Sequence, residues 1–139
     1  MNSIYTQHNR LSTASLQAQN GESHTAHSIN RAKDIIARHF AADIEMETVA
    51  RQVGLNYSSF RKLFKKIVGI SPLAFVEELR ISRSKELLTH TDRTSQQVAY
   101  AVGFNTPYYF CLFFKKRTGM SPLEYRRHSR NAGKILVVS

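Results

Sequence analysis

Apolar residues recur at three- and four-residue steps from Ser28 onward, the spacing that places them on one face of an α-helix. The first stripe consists of Ile29, Ala32, Ile35, Ile36 and Phe40. Further helical segments follow at about residues 46–53, 57–67, 72–89, 94–102 and 106–118, and a last short one from 121. The chain shows no alternating strand pattern and no Asn-Gly hairpin signal. These patterns predict an all-α fold of about seven helices.

Several of these segments begin with a recognisable start signal. Ser71-Pro72 and Ser121-Pro122 each place a capping hydroxyl before a proline at the first helical position, where its missing N–H costs nothing. Thr106-Pro107 has the same form, and Thr94 with Gln97 can make a capping box. The boundaries between neighbouring helices are therefore predicted from local chemistry.

The first 27 residues have a different composition. They are rich in Ser, Thr, Gln, Asn and His, and their only charged residues are Arg10 and Glu22. So few apolar residues bury too little surface to offset the entropy of ordering the segment. We expect a flexible N-terminal tail or linker over residues 1–27, a folded domain over 28–130 and a C-terminal tail over 131–139.

Two twelve-residue segments of the chain have similar sequences: FKKIVGISPLAF at 64–75 and FKKRTGMSPLEY at 114–125. The repeat extends back through the preceding turn, where the second copy has one extra residue. Each copy reads as a short helix, a turn that contains glycine, and a second helix, over residues 46–67 and 95–117. This is the pattern of a helix-turn-helix, whose second helix can enter the major groove of DNA.

Small residues explain how each pair of helices packs. An alanine four residues before the turn glycine allows a close approach of the helices, and glycine supplies the positive φ that a tight turn often needs. The residues assigned to the turns and core of the two motifs are Ala50, Gly54, Phe64, Ala99, Gly103 and Phe114. A duplicated helical hairpin with no partner would share this pattern. Two copies that each end in Phe-Lys-Lys, in a strongly basic chain, favour the nucleic-acid interpretation.

The charge balance points to a polyanionic partner. Lys and Arg number 20 against 10 acidic residues among 139, a net charge of +10, which suits nucleic acid or an anionic membrane surface. No apolar run approaches the ~18–20 residues of a membrane span, and we expect no membrane partner. The single cysteine, Cys111, cannot form an internal disulfide and suits a reducing cytoplasm.

The repeated residues resemble the AraC/XylS family of bacterial transcription regulators. The resemblance covers about residues 29–127 and is carried by Ala50, Gly54, Phe64-Lys-Lys66, Gly69-Ile-Ser-Pro72, Arg80-Ile81, Leu87-Leu88, Ala99, Gly103-Phe104, Phe110, Phe114-Lys-Lys116, Gly119-Met-Ser-Pro122 and Tyr125-Arg126. It implies two helix-turn-helix subdomains joined by a long helix over 72–89. Such a helix would be ~27 Å long, against ~34 Å between successive major-groove faces of B-DNA.

The resemblance also implies partners and a location. It implies a sequence-specific regulator, favouring an activator, that places two recognition helices in successive major grooves of double-stranded DNA and contacts RNA polymerase. It implies a bacterial cytoplasmic location at the nucleoid. Many relatives carry a separate sensor domain, for which this chain has no room, so we expect no small-molecule effector site in it.

Helical position assigns roles in the first motif. The apolar residues Phe60, Leu63 and Phe64 should face the core. The opposite side carries the candidate base-reading residues Tyr57, Ser58, Arg61 and Lys62. Arg61 is the strongest candidate because its fork fits the O6 and N7 atoms of guanine. Lys65 and Lys66 are expected to contact phosphates, which position a protein without specifying sequence.

The second motif departs from the family pattern, which has Ser-Arg where this chain has Cys111 and Leu112. Its candidate base-reading residues are Thr106, Tyr108, Tyr109 and Leu112, and its candidate phosphate contacts are Lys115 and Lys116. Without the arginine we expect weaker base discrimination, through thymine methyls or phosphates. We expect Cys111 to be inert.

Other chemistry finds no support in the sequence. The six histidines are scattered, and none is paired with Cys or a carboxylate at metal-ligand spacing. Phosphate-binding loops and nucleophile signatures are absent. We therefore expect no enzyme, metal or cofactor. Two alternatives stay open: a helical module that contacts RNA polymerase or another regulator with only non-specific DNA affinity, and an RNA-binding domain, disfavoured because the aromatic residues fall on core stripes.

Overall fold

The structure, a computed structural model, describes the backbone of residues 13–138 and the side chains of residues 21 and 23–133. Seven helices and no strand occupy this part of the chain, which confirms the predicted all-α class. The helices are α1 (Thr13–His39), α2 (Met46–Gln52), α3 (Tyr57–Val68), α4 (Pro72–His90), α5 (Ser95–Ala101), α6 (Pro107–Thr118) and α7 (Pro122–Val138). None of these helices is long and apolar enough to cross a membrane.

The structure corrects the predicted N-terminal tail. Helix α1 begins at Thr13 rather than at Ser28, and residues 1–12 of the expected tail lie outside the described residues. Three members of its apolar stripe, Ile29, Ala32 and Ile36, are fully buried and anchor the helix. Once a helix is nucleated, each added residue forms one hydrogen bond without a new nucleation cost. A polar segment without proline can therefore continue α1 on the N-terminal side of this anchor.

The C-terminal end needs the same correction. Helix α7 spans 17 residues and continues through the expected tail as far as Val138. Arginine side chains in its first half, Arg126 and Arg130, bond carbonyl oxygens at the end of α4. The turns beyond them continue a helix that is already anchored.

The described helices divide into two compact units. The first contains α1 as far as Ile35 together with Met46–Pro72, and the second contains Ile36–Glu45 together with the chain from Leu73. In the first unit, α2 packs against α3. In the second unit, α5 packs against α6 and α6 against α7.

The second unit is built around one apolar cluster. Its fully buried members include Leu88 of α4, Val98 and Ala99 of α5, and Phe110 and Phe114 of α6. The two phenylalanine rings are tilted against each other with centroids 5.6 Å apart, a favourable aromatic geometry. Their one-turn spacing on α6 directs the opposite side of that helix away from the core.

The first unit repeats this arrangement on a smaller scale. Val49 and Ala50 of α2 and Phe60 and Phe64 of α3 are buried, and the two rings are again 5.6 Å apart. The predicted core positions of both second helices are thus occupied by the same pair of aromatic side chains.

Candidate nucleic-acid interface

The two helix-turn-helix turns have the same backbone hydrogen bonds. The amide of Leu55 donates to the carbonyl oxygen of Ala50 at 2.9 Å, and the amide of Phe104 donates to that of Ala99 at 2.9 Å. The preceding glycines have positive φ angles, which a residue with a Cβ rarely adopts. The alanine and glycine of each motif therefore lie where the sequence pattern placed them.

Side chains at the turn set the first residue of each second helix. The Oδ1 atom of Asn56 accepts from the amide of Ser59 at 2.8 Å, and the Oγ1 atom of Thr106 accepts from the amide of Tyr109 at 3.2 Å. These bonds satisfy amides that a helix N-terminus leaves without intrahelical partners. The hydroxyl of Thr106 was a candidate for base contact, and the structure uses it as a helix cap.

The exposed side of α3 is a basic surface. Tyr57, Ser58, Arg61, Lys62 and Lys65 line a depression of about 360 Å³ together with Ser71. Three of these six lining residues are cationic and none is acidic. The structure thus brings the four candidate base-reading residues of the first motif together.

Arg61, Lys65 and Lys66 hold different places relative to this depression. The guanidinium of Arg61 lies 5.6 Å from the ring centroid of Tyr57, a cation–π distance that orients the arginine along the helix. Lys65, expected to contact phosphate, lines the same depression as Arg61, whereas Lys66 is exposed outside that lining.

The exposed side of α6 is mainly apolar. Tyr108 and Leu112, one turn apart, are 75% and 53% exposed. Tyr109 is also more than half exposed, but its ring packs against Phe104 and Phe113 with centroid distances of 6.0 and 6.1 Å. Tyr108 and Leu112 are therefore the two candidate base-reading side chains of α6 whose exposed surface is not tied to the core.

Lysines occupy the last turn of both α3 and α6. Lys115 and Lys116 on α6 are exposed, as are Lys65 and Lys66 on α3. Cations there complement the negative end of the helix dipole. Each helix then stops at a glycine with positive φ, Gly69 or Gly119.

Cys111 occupies the position in α6 that Arg61 occupies in α3. It is half-buried, packs against the core of the second unit, and has its Sγ atom 3.6 Å from the Oγ atom of Ser95. The short side chain turns inward, where an arginine at the same helical position reaches out. Equivalent positions in the two motifs thus present different chemistry.

Sequence reasoning assigned no role to Arg80, which the structure shows as a cap of α1. Its Nε atom donates to the carbonyl oxygen of Phe40 at 2.9 Å, and its Nη2 atom donates to that of Ala42 at 3.3 Å. Burial lowers the pKa of the guanidinium from its usual value, while Asp43 and Glu77 act to raise it. The carbonyl bonds offset part of the cost of removing this charge from water.

Arg130 performs the equivalent task at the end of α4. Its Nε atom donates to the carbonyl oxygen of Thr89 at 3.2 Å and its Nη2 atom to that of Thr91 at 2.5 Å. Both arginines lie eight residues after the proline of a Ser-Pro start. That shared interval was the sequence signal that could have pointed to a common role for the two arginines. It could not identify their partners, because the carbonyl groups that they bond lie about forty residues earlier.

Arg126 adds a further clamp on α4. Its Nε atom donates to the carbonyl oxygen of Leu88 at 2.8 Å and its Nη2 atom to that of Thr91 at 3.2 Å. Burial and then the nearby charge of Arg130 lower its pKa, against the opposing effect of Asp92. Together these bonds fix the start of α7 against the end of α4.

Within the described part of the chain, no group of three His, Cys, Asp or Glu side chains is placed to hold a metal ion.

The family model described as a helix-turn-helix domain matches residues 49–128, more than half of the chain and both motifs. The chain belongs to the AraC-type helix-turn-helix family of transcriptional regulators. The described residues therefore include an AraC-type DNA-binding domain, and the family is one of DNA-binding regulators rather than enzymes.

Named relatives agree with this assignment. The chain is 34% identical over 100 residues to the lactose operon transcription activator of Staphylococcus xylosus, covering 72% of the chain and 36% of that protein. It is 35% identical over 99 residues to the regulatory protein PocR of Salmonella typhimurium, covering 71% of the chain and 33% of that protein. The chain thus spans about a third of the length of these curated relatives.

A solved AraC-type domain has the same fold. The C-terminal domain of AraT, a response regulator from Geobacillus stearothermophilus, is 32% identical and matches with a TM-score of 0.69. The match covers 73% of this chain and 84% of the AraT domain.

Proposed function

We propose that this chain regulates transcription by binding a specific sequence of double-stranded DNA, with α3 and α6 in successive major grooves. The observation that carries the proposal is the basic surface of α3. Arg61, Lys62 and Lys65 converge on one depression that no acidic lining residue neutralises. Buried Phe60 and Phe64 hold the opposite side of the helix. A helix so anchored can present its cationic side to a groove whose edges carry phosphates and base acceptors.

Direct base readout in the first motif falls to Arg61. A guanidinium donates two parallel hydrogen bonds, and the O6 and N7 atoms of guanine accept them. Tyr57 lies under this guanidinium and restricts its orientations, which reduces the entropy lost on binding. Tyr57, Ser58 and Lys62 contribute neighbouring contacts.

Phosphate contacts supply most of the affinity in this proposal. Lys66, Lys115 and Lys116 lie at the exposed last turns of the two helices, and Lys65, which lines the basic depression, serves phosphate as well. Each neutralised phosphate releases condensed counterions, so binding should weaken steeply as salt rises.

Activation through RNA polymerase is the finer part of the proposal. The Staphylococcus xylosus relative is named as a transcription activator, which supports activation over repression. Transcription in vitro from a promoter that carries the selected site upstream tests it. A rise in transcript with added protein is expected, and a fall would make the chain a repressor.

The DNA-binding proposal is tested by selecting bound fragments from random duplex DNA. Binding titrations then compare the affinity for the selected duplex with the affinity for a shuffled duplex. We expect the selected duplex to bind at least tenfold more tightly at ~150 mM salt, and both affinities to fall by orders of magnitude from low to moderate salt. Equal affinity for both duplexes would instead favour an interaction module for polymerase or another regulator. Tighter binding to an RNA hairpin would favour the RNA-binding alternative.

A further inference from the structure

We propose that Tyr108 and Leu112 of α6 recognise the C5-methyl groups of thymines, so that the half-site of the second motif is specified by methyl contacts rather than by hydrogen bonds. This inference rests on the proposed function and names the chemistry that α6 recognises. The two side chains are one turn apart on the exposed side of α6 and are 75% and 53% exposed.

The other side chains at the start of α6 are already committed. The hydroxyl of Thr106 caps the helix, and the ring of Tyr109, although 55% exposed, is held by packing against Phe104 and Phe113. Cys111, at the position of Arg61, is turned toward Ser95 and the core. Of the four candidate base-reading side chains of α6, the aromatic ring of Tyr108 and the branched aliphatic group of Leu112 are therefore the two that project away from the core.

The chemistry of DNA restricts what such a surface can recognise. Leu112 has neither a donor nor an acceptor, so it cannot match the polar groups on base edges. The thymine methyl is the apolar group of the four unmodified bases in the major groove, and it stands at C5. Cytosine has only a hydrogen at C5, and the purines present polar atoms that would lose hydration against Leu112 without a replacement hydrogen bond.

Charge supports the same occupant. Lys115 follows Leu112 by three residues and is exposed, and Lys116 is exposed beside it. Two cations next to an apolar pair suit a polyanion that carries methyl groups in its groove. They do not suit an apolar protein groove.

The experiment removes the methyl and nothing else. In the duplex selected by this protein, each thymidine is replaced singly by 2′-deoxyuridine, and affinity is measured at fixed salt. We expect one or two thymidines whose replacement weakens binding about three- to fivefold, the size of one buried methyl. Cytidine placed at such a position should bind poorly, and 5-methylcytidine should recover part of the loss because it restores the methyl at C5.

Protein variants assign the effect to α6. Leu112→Ala or Tyr108→Ala should abolish the difference between thymidine and deoxyuridine at a sensitive position, which is a coupling between the two changes. Lys62→Ala, at the equivalent position of α3, should weaken binding but keep the difference. Because Leu112 and Tyr108 are exposed, both variants should retain the wild-type melting temperature.

The outcomes separate this inference from the proposed function. A selected duplex that binds specifically but tolerates deoxyuridine at every thymidine would overturn methyl recognition and leave the DNA-binding proposal standing. A sensitivity that persists in both Leu112→Ala and Tyr108→Ala would place the contact elsewhere and also overturn the inference. If no duplex is selected, the proposed function fails, and methyl recognition fails with it.

Discussion

Gly103 lies so close to the backbone of Ala41 that a Cβ atom on it would stand 2.8 Å from the Ala41 carbonyl oxygen. The same glycine has a φ of +99°. Gly54, its counterpart in the first motif, has a φ of +78°, but a Cβ atom added there would meet nothing within 4 Å. The second turn therefore needs glycine for two reasons, backbone conformation and close approach, and the first turn for one.

Replacing Gly103 with alanine should destabilise the second unit by about 2–5 kcal/mol. A positive φ costs an alanine ~1–2 kcal/mol, and the clash with a backbone atom adds ~1–3 kcal/mol because neither partner is a flexible side-chain end. Gly119→Ala is the matched control in the same unit, with a φ of +83° and nothing within 4 Å. Urea unfolding measures both, and equal losses would show that the approach to Ala41 carries no cost.

Loss of Arg61 should change specificity as well as affinity. Arg61→Ala should cost ~1–3 kcal/mol on the selected duplex and relax the preference at one or two base pairs. Arg61→Lys keeps the charge but loses the planar fork, so it should keep the salt dependence and still lose the preference. Binding titrations against single-base variants provide the measurement. A full preference in both variants would remove Arg61 from base readout.

Lys115 should act on all sequences alike. Lys115→Ala should weaken binding to the selected and shuffled duplexes by similar factors and reduce the slope of log affinity against log salt by about one ion. Arg83→Ala is the control of equal charge change, since Arg83 lies on α4 and pairs with Glu86 at 2.8 Å. If Arg83→Ala reduced the slope as much, net charge rather than a phosphate contact would explain the result.

Arg80 should stabilise the fold through its hydrogen bonds to two carbonyl oxygens. Arg80→Ala leaves the carbonyls of Phe40 and Ala42 without this donor, and we expect a loss of about 1–2 kcal/mol after allowing for partial exposure. Arg83→Ala again serves as control, because its ion pair with Glu86 has side chains more than half exposed and should contribute ~0–1 kcal/mol. Equal shifts of the melting temperature in Arg80→Ala and Arg83→Ala would show that Arg80 contributes no more to stability than an exposed ion pair.

Most helix boundaries could be predicted because their signals are local. The capping box of Thr94 and Gln97 forms as expected, with bonds of 2.9 and 3.1 Å, since its partners are three residues apart. Ser121 likewise accepts from the amide of Glu124 at 3.2 Å. The outer ends of α1 and α7 could not be predicted, because continuing a helix past its expected end depends on the anchored turns next to it.

By itself, the sequence determined the class of fold, the duplication, the turn glycines and the two aromatic pairs that orient α3 and α6. Each of these follows from residues within a few positions of one another, where steric and hydrogen-bonding rules act directly. The tertiary structure alone decided that Arg80 and Arg130 clamp the ends of preceding helices and that Gly103 meets Ala41. It also decided that Cys111 turns inward where Arg61 turns out. Those outcomes depend on atoms from distant parts of the chain, which only packing brings within reach.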